Sequence, residues 1–343
     1  MSNTGVSCPL CHAPAKLINA HHPGWQRSTF FAIYGCQYCD LQFAWPLQSN
    51  AALYEHIYRQ ADRLPGYDFY AGLARALKRQ RSPLDWLAGQ GPGYWFVREA
   101  LSDKLPNKDG RIVEIGSGLG YFTHALREAG YDATGLDLST TAVADAAAQF
   151  GNHYVSGDVR DYAARHPGSA RAVVMIEVLE HLPSPSDMLA AIHRLLAPGG
   201  FALITTPNKS VFLAEEYWKT DNPPVHLWWF SETAIRRLAQ TSGFDVGLWN
   251  FTGYNRSHAT LPPVKGSLAN PSPMKPHFLD EDGNIIAAPL GAASLKQKLK
   301  RLRTHLLPGL TRRQQKRRRN SARRRWADEH GDAIGIVLTK PTA

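Results

Sequence analysis

The chain has 343 residues, 43% of them hydrophobic, with a formal net charge of +10. That length can bury a full α/β core and still carry accessory segments. No apolar stretch approaches membrane-spanning length, and the N-terminus lacks the charged-then-apolar pattern of a signal peptide, so a cytoplasmic enzyme is expected. The positive charge is concentrated. Between Leu295 and Ala327 stand 14 of the 39 Lys and Arg and no Asp or Glu, which leaves 25 basic against 29 acidic residues elsewhere.

In chain order, the first feature is cysteine. All four lie within 39 residues, as Cys8-Pro-Leu-Cys11 and Cys36-Gln-Tyr-Cys39. Two such pairs suit the four thiolates of tetrahedral zinc, each pair supplying one knuckle of a zinc ribbon. Four sulfur ligands leave no open coordination position, so a structural role is expected for residues 1–46, a module too small for its own core. Two redox pairs or free thiols are the alternative, and His12, His21 and His22 stand nearby as competing ligands. Residues 47–105 are rich in helix formers and aromatics, including Tyr54, Tyr58, Tyr67, Phe69, Tyr70, Trp86, Tyr94 and Trp95. Short helices are expected there, broken around Pro65-Gly66 and by Gly89-Gln-Gly-Pro-Gly93.

Residues 106–252 alternate strand and helix patterns. Ile112, Val113 and Ile115 end in a glycine cluster followed by a helical pattern, the opening of a nucleotide-binding sheet. Further strands are predicted at Asp132–Asp137, before Asp158, at Ala172–Ile176, at Phe201–Thr205 and at Gly243–Phe251, with Ser231 as the N-cap of a helix. Residues 253–331 then form an insertion: an irregular loop over 254–291, then a leucine stripe at 295, 299, 302 and 306 flanked by Lys and Arg. The final strand, Ala333–Thr339, falls in residues 332–343.

The glycine spacing separates two classes of ligand. A pyrophosphate cradle needs Gly-x-Gly-x-x-Gly, but the glycines are Gly116, Gly118 and Gly120, with Tyr121 where the third would fall. Glu114 precedes the loop, where its negative charge disfavours a nearby phosphate. A ligand with a ribose, no phosphate and a cationic centre fits, and S-adenosylmethionine (SAM) is that ligand. On these residues, and on Asp137 and Asp158, the chain resembles the class I SAM-dependent methyltransferases over residues 110–252 and the last strand. The resemblance implies an α/β fold with a Rossmann-like seven-stranded class I methyltransferase sheet. Its last strand would run antiparallel at the sheet's edge, with a zinc ribbon in front and a helical basic insertion before that strand. It also implies SAM contacts at Glu114, Gly116, Ser117, Gly118 and Gly120, ribose contacts at Asp137 beside Leu138, adenine contacts at Asp158 beside Val159, and Glu177 facing the donor. In such enzymes an N-terminal helical layer often lids the site.

Methyl transfer from a sulfonium asks mainly for alignment, desolvation and, at an oxygen or nitrogen acceptor, removal of a proton; no metal is required for it. Glu177-Val-Leu-Glu180-His181 resembles the arrangement beside the acceptor in quinone-biosynthesis O-methyltransferases. The catalytic candidates are therefore Glu177, His181 and His226. His181 is either a base near neutral pH or a structural histidine after strand four. His226 either orients the acceptor or takes its proton, or packs under Trp228 and Trp229. Asn208 is an acceptor contact or a turn residue. The expected activity is O-methylation of a small-molecule, glycan-linked or lipid-linked acceptor. An RNA methyltransferase, capturing substrate through ribbon and arm, is the alternative; a non-catalytic SAM-binding adaptor is the third reading. The basic arm, residues 295–326, suits RNA phosphates or an anionic membrane surface, the latter placing the protein at the inner face of the membrane.

Overall fold

The computed structural model describes residues 5–64, 67–211, 222–258, 278–286, 331 and 333–342. The basic arm lies outside the described residues. The N-terminal region forms an antiparallel sheet of β1 (Lys16–Pro23), β2 (Phe30–Cys36) and β3 (Leu41–Trp45). Four helices follow: α1 (Ala51–Arg59), α2 (Tyr67–Leu77), α3 (Pro83–Ala88) and α4 (Pro92–Lys104). The Asn50 side chain accepts from the Leu53 N–H to cap α1. α3 and α4 each open on proline, whose missing N–H costs nothing in the first turn.

The large sheet is assembled from β4 (Arg111–Ile115), α5 (Tyr121–Glu128), β5 (Asp132–Asp137), α6 (Thr140–Phe150), β6 (Tyr154–Ser156), α7 (Val159–Arg165), β7 (Ala170–Ile176), α8 (Pro185–Leu195) and β8 (Leu196–Pro207). Then come β9 (Trp228–Trp229), α9 (Glu232–Thr241), β10 (Asp245–Leu248), α10 (Thr252–Ser257) and β11 (Ala333–Thr339). Seven strands line up in the order β10-β11-β8-β7-β4-β5-β6, and β11 runs antiparallel to both of its neighbours. Alternation sends Val113, Val173, Met175 and Ile204 into one apolar layer, and Ile112, Ala172, Val174 and Leu203 into the other. Helices cover both faces, so the inner strands β7, β8 and β11 carry long apolar runs.

One expectation changes. The antiparallel strand does not form the sheet's edge: β11 lies between β8 and β10, and β10 is the edge. Burial explains the order. Ile334, Ile336 and Leu338 enter one core layer and Val337 the other, whereas the side chains of β10 alternate between exposed and half-buried. The ribbon, expected as a module too small for its own core, gains a fourth strand from the chain beyond β8. β3 pairs with β9, Gln42 opposite Trp229 and Phe43 opposite Trp228, and Ile33, Leu41 and Phe43 share the core of the large sheet.

Candidate functional site

The donor end is built where β4 turns into α5. Asp137 closes β5, and its two carboxylate oxygens accept the Gly118 N–H at 2.8 Å and the Ser139 N–H at 2.9 Å. The carboxylate is thereby held facing the glycine loop. Burial raises its pKa while these N–H bonds oppose the rise. Gly118 sits at φ +46°, which favours glycine, and a Cβ there would stand 3.2 Å from the Tyr58 hydroxyl oxygen on α1, a tight contact. Glu114 is buried and accepts a hydrogen bond from the Thr123 hydroxyl. Burial, with the charge of Asp137 adding to it, pushes its carboxyl up to about 8. Burial thus favours its neutral form, which weakens the charge argument against a phosphate. Asp158 caps α7 and is ion-paired with Arg160, which holds its carboxyl below the usual range.

Glu114, Gly118, Asp137 and Asp158 line one cavity of about 950 Å³, together with Gly116, Ser117, Leu138, Val159, Glu177, His181 and His226. Gly120 does not line it. It begins α5 at φ +77°, where a Cβ would lie 2.5 Å from the Ala146 Cβ, and its carbonyl accepts from the Tyr154 hydroxyl at 2.6 Å. Its role is to let α5 pack beside α6 and β6. The helical layer contributes Tyr54, Tyr58, Tyr67 and Tyr70 to the wall, and Tyr94 and Tyr121 join hydroxyls there at 2.5 Å.

The acceptor end is assembled from three segments. Glu177 follows β7 in the left-handed region, φ +53°, with its N–H donating to the Thr205 carbonyl at 3.2 Å. Glu180 is fully buried and accepts from the Thr206 hydroxyl at 2.9 Å. His181 Nδ1 lies 2.6 Å from the Val225 carbonyl, which can only accept; the proton therefore sits on Nδ1 and Nε2 is left as the basic nitrogen. That Nε2 stands 3.7 Å from Glu180 Oε1, and His226 Nε2 stands 4.0 Å from the same oxygen. The two imidazoles meet edge to face at 4.5 Å, so His226 joins His181 rather than only packing under the tryptophans. One ligand atom from each of Glu180, His181 and His226 falls within 4.8 Å of the others, a donor set able to hold a divalent cation. Glu180 is not among the catalytic candidates named from the sequence, although it belongs to the Glu-x-x-Glu-His run expected beside the acceptor. Its signal was the Glu-x-x-Glu-His spacing combined with a histidine in the segment after strand five. Asn208 is the turn residue of its two readings: its side chain donates to the Gly331 carbonyl and accepts from the Ser210 N–H.

A methyltransferase-domain family model matches residues 72–247, more than half of the chain. The chain belongs to the class I SAM-dependent methyltransferases. Among its relatives, the ubiquinone biosynthesis O-methyltransferase of Thiobacillus denitrificans is 33% identical over 118 residues, covering 32% of this chain and 50% of that protein. The protein of the same name from Methylococcus capsulatus is 35% identical over 159 residues, covering 42% of this chain and 67% of that one. This methyltransferase spans about half the length of most of the curated relatives it matches. A SAM-dependent methyltransferase structure from Archaeoglobus fulgidus aligns at 16% identity with a TM-score of 0.42, over 71% of this chain and 93% of that one.

Away from the cavity, the four cysteines of the methyltransferase converge. Cys8 and Cys39 sulfurs lie 3.9 Å apart, and those of Cys11 and Cys36 lie 3.5 Å apart. Zinc–sulfur bonds of about 2.3 Å in a tetrahedron set sulfur–sulfur edges of about 3.8 Å, so the cluster fits zinc. None of His12, His21 or His22 joins it. Burial pushes the Cys39 thiol up to about 11 and that of Cys8 higher still, a penalty that a cation among the sulfurs removes.

Proposed function

We propose that this methyltransferase transfers the methyl group of SAM to an oxygen of a small-molecule, glycan-linked or lipid-linked acceptor, with Glu180, His181 and His226 forming the acceptor end of the cavity. The convergence of two imidazoles and a buried carboxylate carries this reading, because an oxygen acceptor must lose a proton and these groups can receive it. SAM supplies a methyl already activated by its sulfonium. The Gly118–Asp137 cradle binds the ribose through the remaining lone pairs of the carboxylate, and the glycine loop admits the methionine part. His181, with its proton fixed on Nδ1, takes the acceptor proton at Nε2, while Glu180 stabilises the resulting imidazolium. The helical layer and its tyrosines exclude water. The four cysteines hold a structural zinc in the ribbon.

The O-methyltransferase names of the relatives support the choice of oxygen. Tritiated methyl transfer from SAM into cell-extract fractions identifies the acceptor. With it in hand, His181→Gln is expected to lower kcat roughly 10²–10⁴-fold, the usual worth of a positioned base. Unimpaired transfer by both His181→Gln and His226→Gln rejects the acceptor-end assignment; lack of SAM binding rejects the whole reading. The same three side chains favour a second version, in which they hold a divalent cation that polarises the acceptor oxygen. Transfer that stops with EDTA and returns with magnesium or manganese supports that version. Transfer indifferent to EDTA leaves the proton to histidine alone.

A further inference from the structure

The second cysteine knuckle of the ribbon is fastened to the chain that carries the acceptor histidine. Lys209, only 4% exposed, places its ammonium 2.7 Å from Asp40, the residue after Cys39. Arg237 donates to the Cys39 sulfur at 3.3 Å, and the Ser231 hydroxyl donates to the Cys39 carbonyl at 3.3 Å. All three partners belong to the segments after β8. The Lys209 N–H also donates to the Phe230 carbonyl at 2.8 Å, so the knuckle and the stretch entering α9 are drawn together.

The connection runs on to the cavity through the backbone. From the pairing of β3 with β9, the Ala44 N–H reaches the Leu227 carbonyl at 2.8 Å. On its other side, the Leu227 N–H donates to the Glu180 carbonyl at 2.8 Å. Leu227 is thus held between the ribbon and the segment bearing Glu180 and His181. His226, directly before it, has its direction fixed by that double attachment. Trp228, directly after it, anchors through its indole N–H to the Leu182 carbonyl at 2.6 Å. The Gly118–Asp137 cradle makes its bonds from the glycine loop after β4 to the end of β5 and the start of α6, and neither of those bonds passes through the ribbon.

We infer that the zinc ribbon is a clamp on the acceptor wall, in which filling of the four-thiol site sets the placement of His226, with Lys209 and Arg237 as the positioning residues that transmit it. The inference rests on the reading of the Glu180–His181–His226 end as the acceptor end. It departs from a ribbon that only folds itself. A knuckle without its metal loses the bonds that fix Cys39 and Asp40, and the grip on Ser231, Arg237 and Lys209 goes with them.

The test uses the full chain, with zinc removed by a chelator and its release followed by colour. Hydrogen exchange of residues 222–231 is compared with that of residues 111–137, and histidine Cε1–H signals, assigned with His226→Gln and His181→Gln, are read at one fixed pH. Affinity for S-adenosylhomocysteine is measured alongside. Zinc removal is expected to speed exchange in 222–231 by at least about tenfold and to shift the His226 signal, with affinity for S-adenosylhomocysteine changed by less than about twofold. Lys209→Met, which keeps its zinc, is expected to reproduce both changes, and Lys209→Arg to reverse them. That variant decides the matter if the zinc-free chain does not stay folded. Unchanged exchange and signals in Lys209→Met overturn the clamp. So does a parallel loss of S-adenosylhomocysteine affinity, which would make the ribbon a support of the whole fold. A zinc-bound wild type that fails to bind S-adenosylhomocysteine counts against the proposed function instead.

Discussion

At the residue scale, Glu114 and Asp137 are two buried carboxyl groups sharing the donor end of one cavity. Burial pushes the Glu114 carboxyl from 4.5 to about 8. Between those values the native state holds a proton that the unfolded chain has lost, so stability contributed at low pH declines as pH rises through this window. The cationic groups of SAM favour the ionised carboxylate. Binding at pH 7 is therefore expected to release close to one proton, with affinity rising as pH approaches 8. Calorimetry in two buffers of different ionisation enthalpy measures that release, and Glu114→Gln should abolish it. Equal heats in both buffers would contradict the linkage. Gly120 supplies a second prediction at this scale. Gly120→Ala places a Cβ 2.5 Å from that of Ala146 at φ +77°, and should cost about 1–3 kcal/mol of stability in denaturant melts.

At the element scale, the strands most legible in the sequence were those buried on both faces. Ala333–Thr339 agrees with β11 residue for residue, because a seven-residue apolar run leaves little choice. Its place in the sheet was not legible. Strand order depends on pairing with β8 across more than a hundred residues of chain, and a local pattern records only that both faces are covered. β8 itself runs from Leu196 to Pro207, beyond the apolar stretch that marked it, because both of its edges are paired. The interior position makes a prediction that an edge strand would not. Ile336 is buried opposite Ile204 and joins the main core layer, so Ile336→Ala should cost about 2–5 kcal/mol. At an exposed edge the same change would stay within about 0.5 kcal/mol. Urea unfolding at constant m-value distinguishes the two.

At the scale of the whole molecule, the two ends of the cavity differ in how far apart their parts lie along the chain. The donor end is one strand–loop–helix–strand unit, from Glu114 to Asp137, and could be read as a motif. The acceptor end needs His226 beside His181, with 44 residues between them, and the long-range contact is held by Val225, Glu180 and a ribbon strand near the N-terminus. No spacing rule encodes that. The same pairing means the ribbon does not own its core. Phe43 packs against Trp228 with ring centres 6.0 Å apart, and Leu41 and Ile33 join a layer that includes Leu227 and Phe230. A fragment of residues 1–46 with one equivalent of zinc is therefore expected to bind the metal through its thiols yet give collapsed amide dispersion by NMR. Zinc fixes the knuckles, but the inner face of β2 and β3 has nothing left to bury against. A chain lacking those residues should expose Trp228 and Trp229, red-shift their fluorescence and bind an apolar dye. A well-dispersed fragment together with an unchanged tryptophan spectrum would show that the ribbon folds alone, and that the shared core contributes little to holding the two parts together.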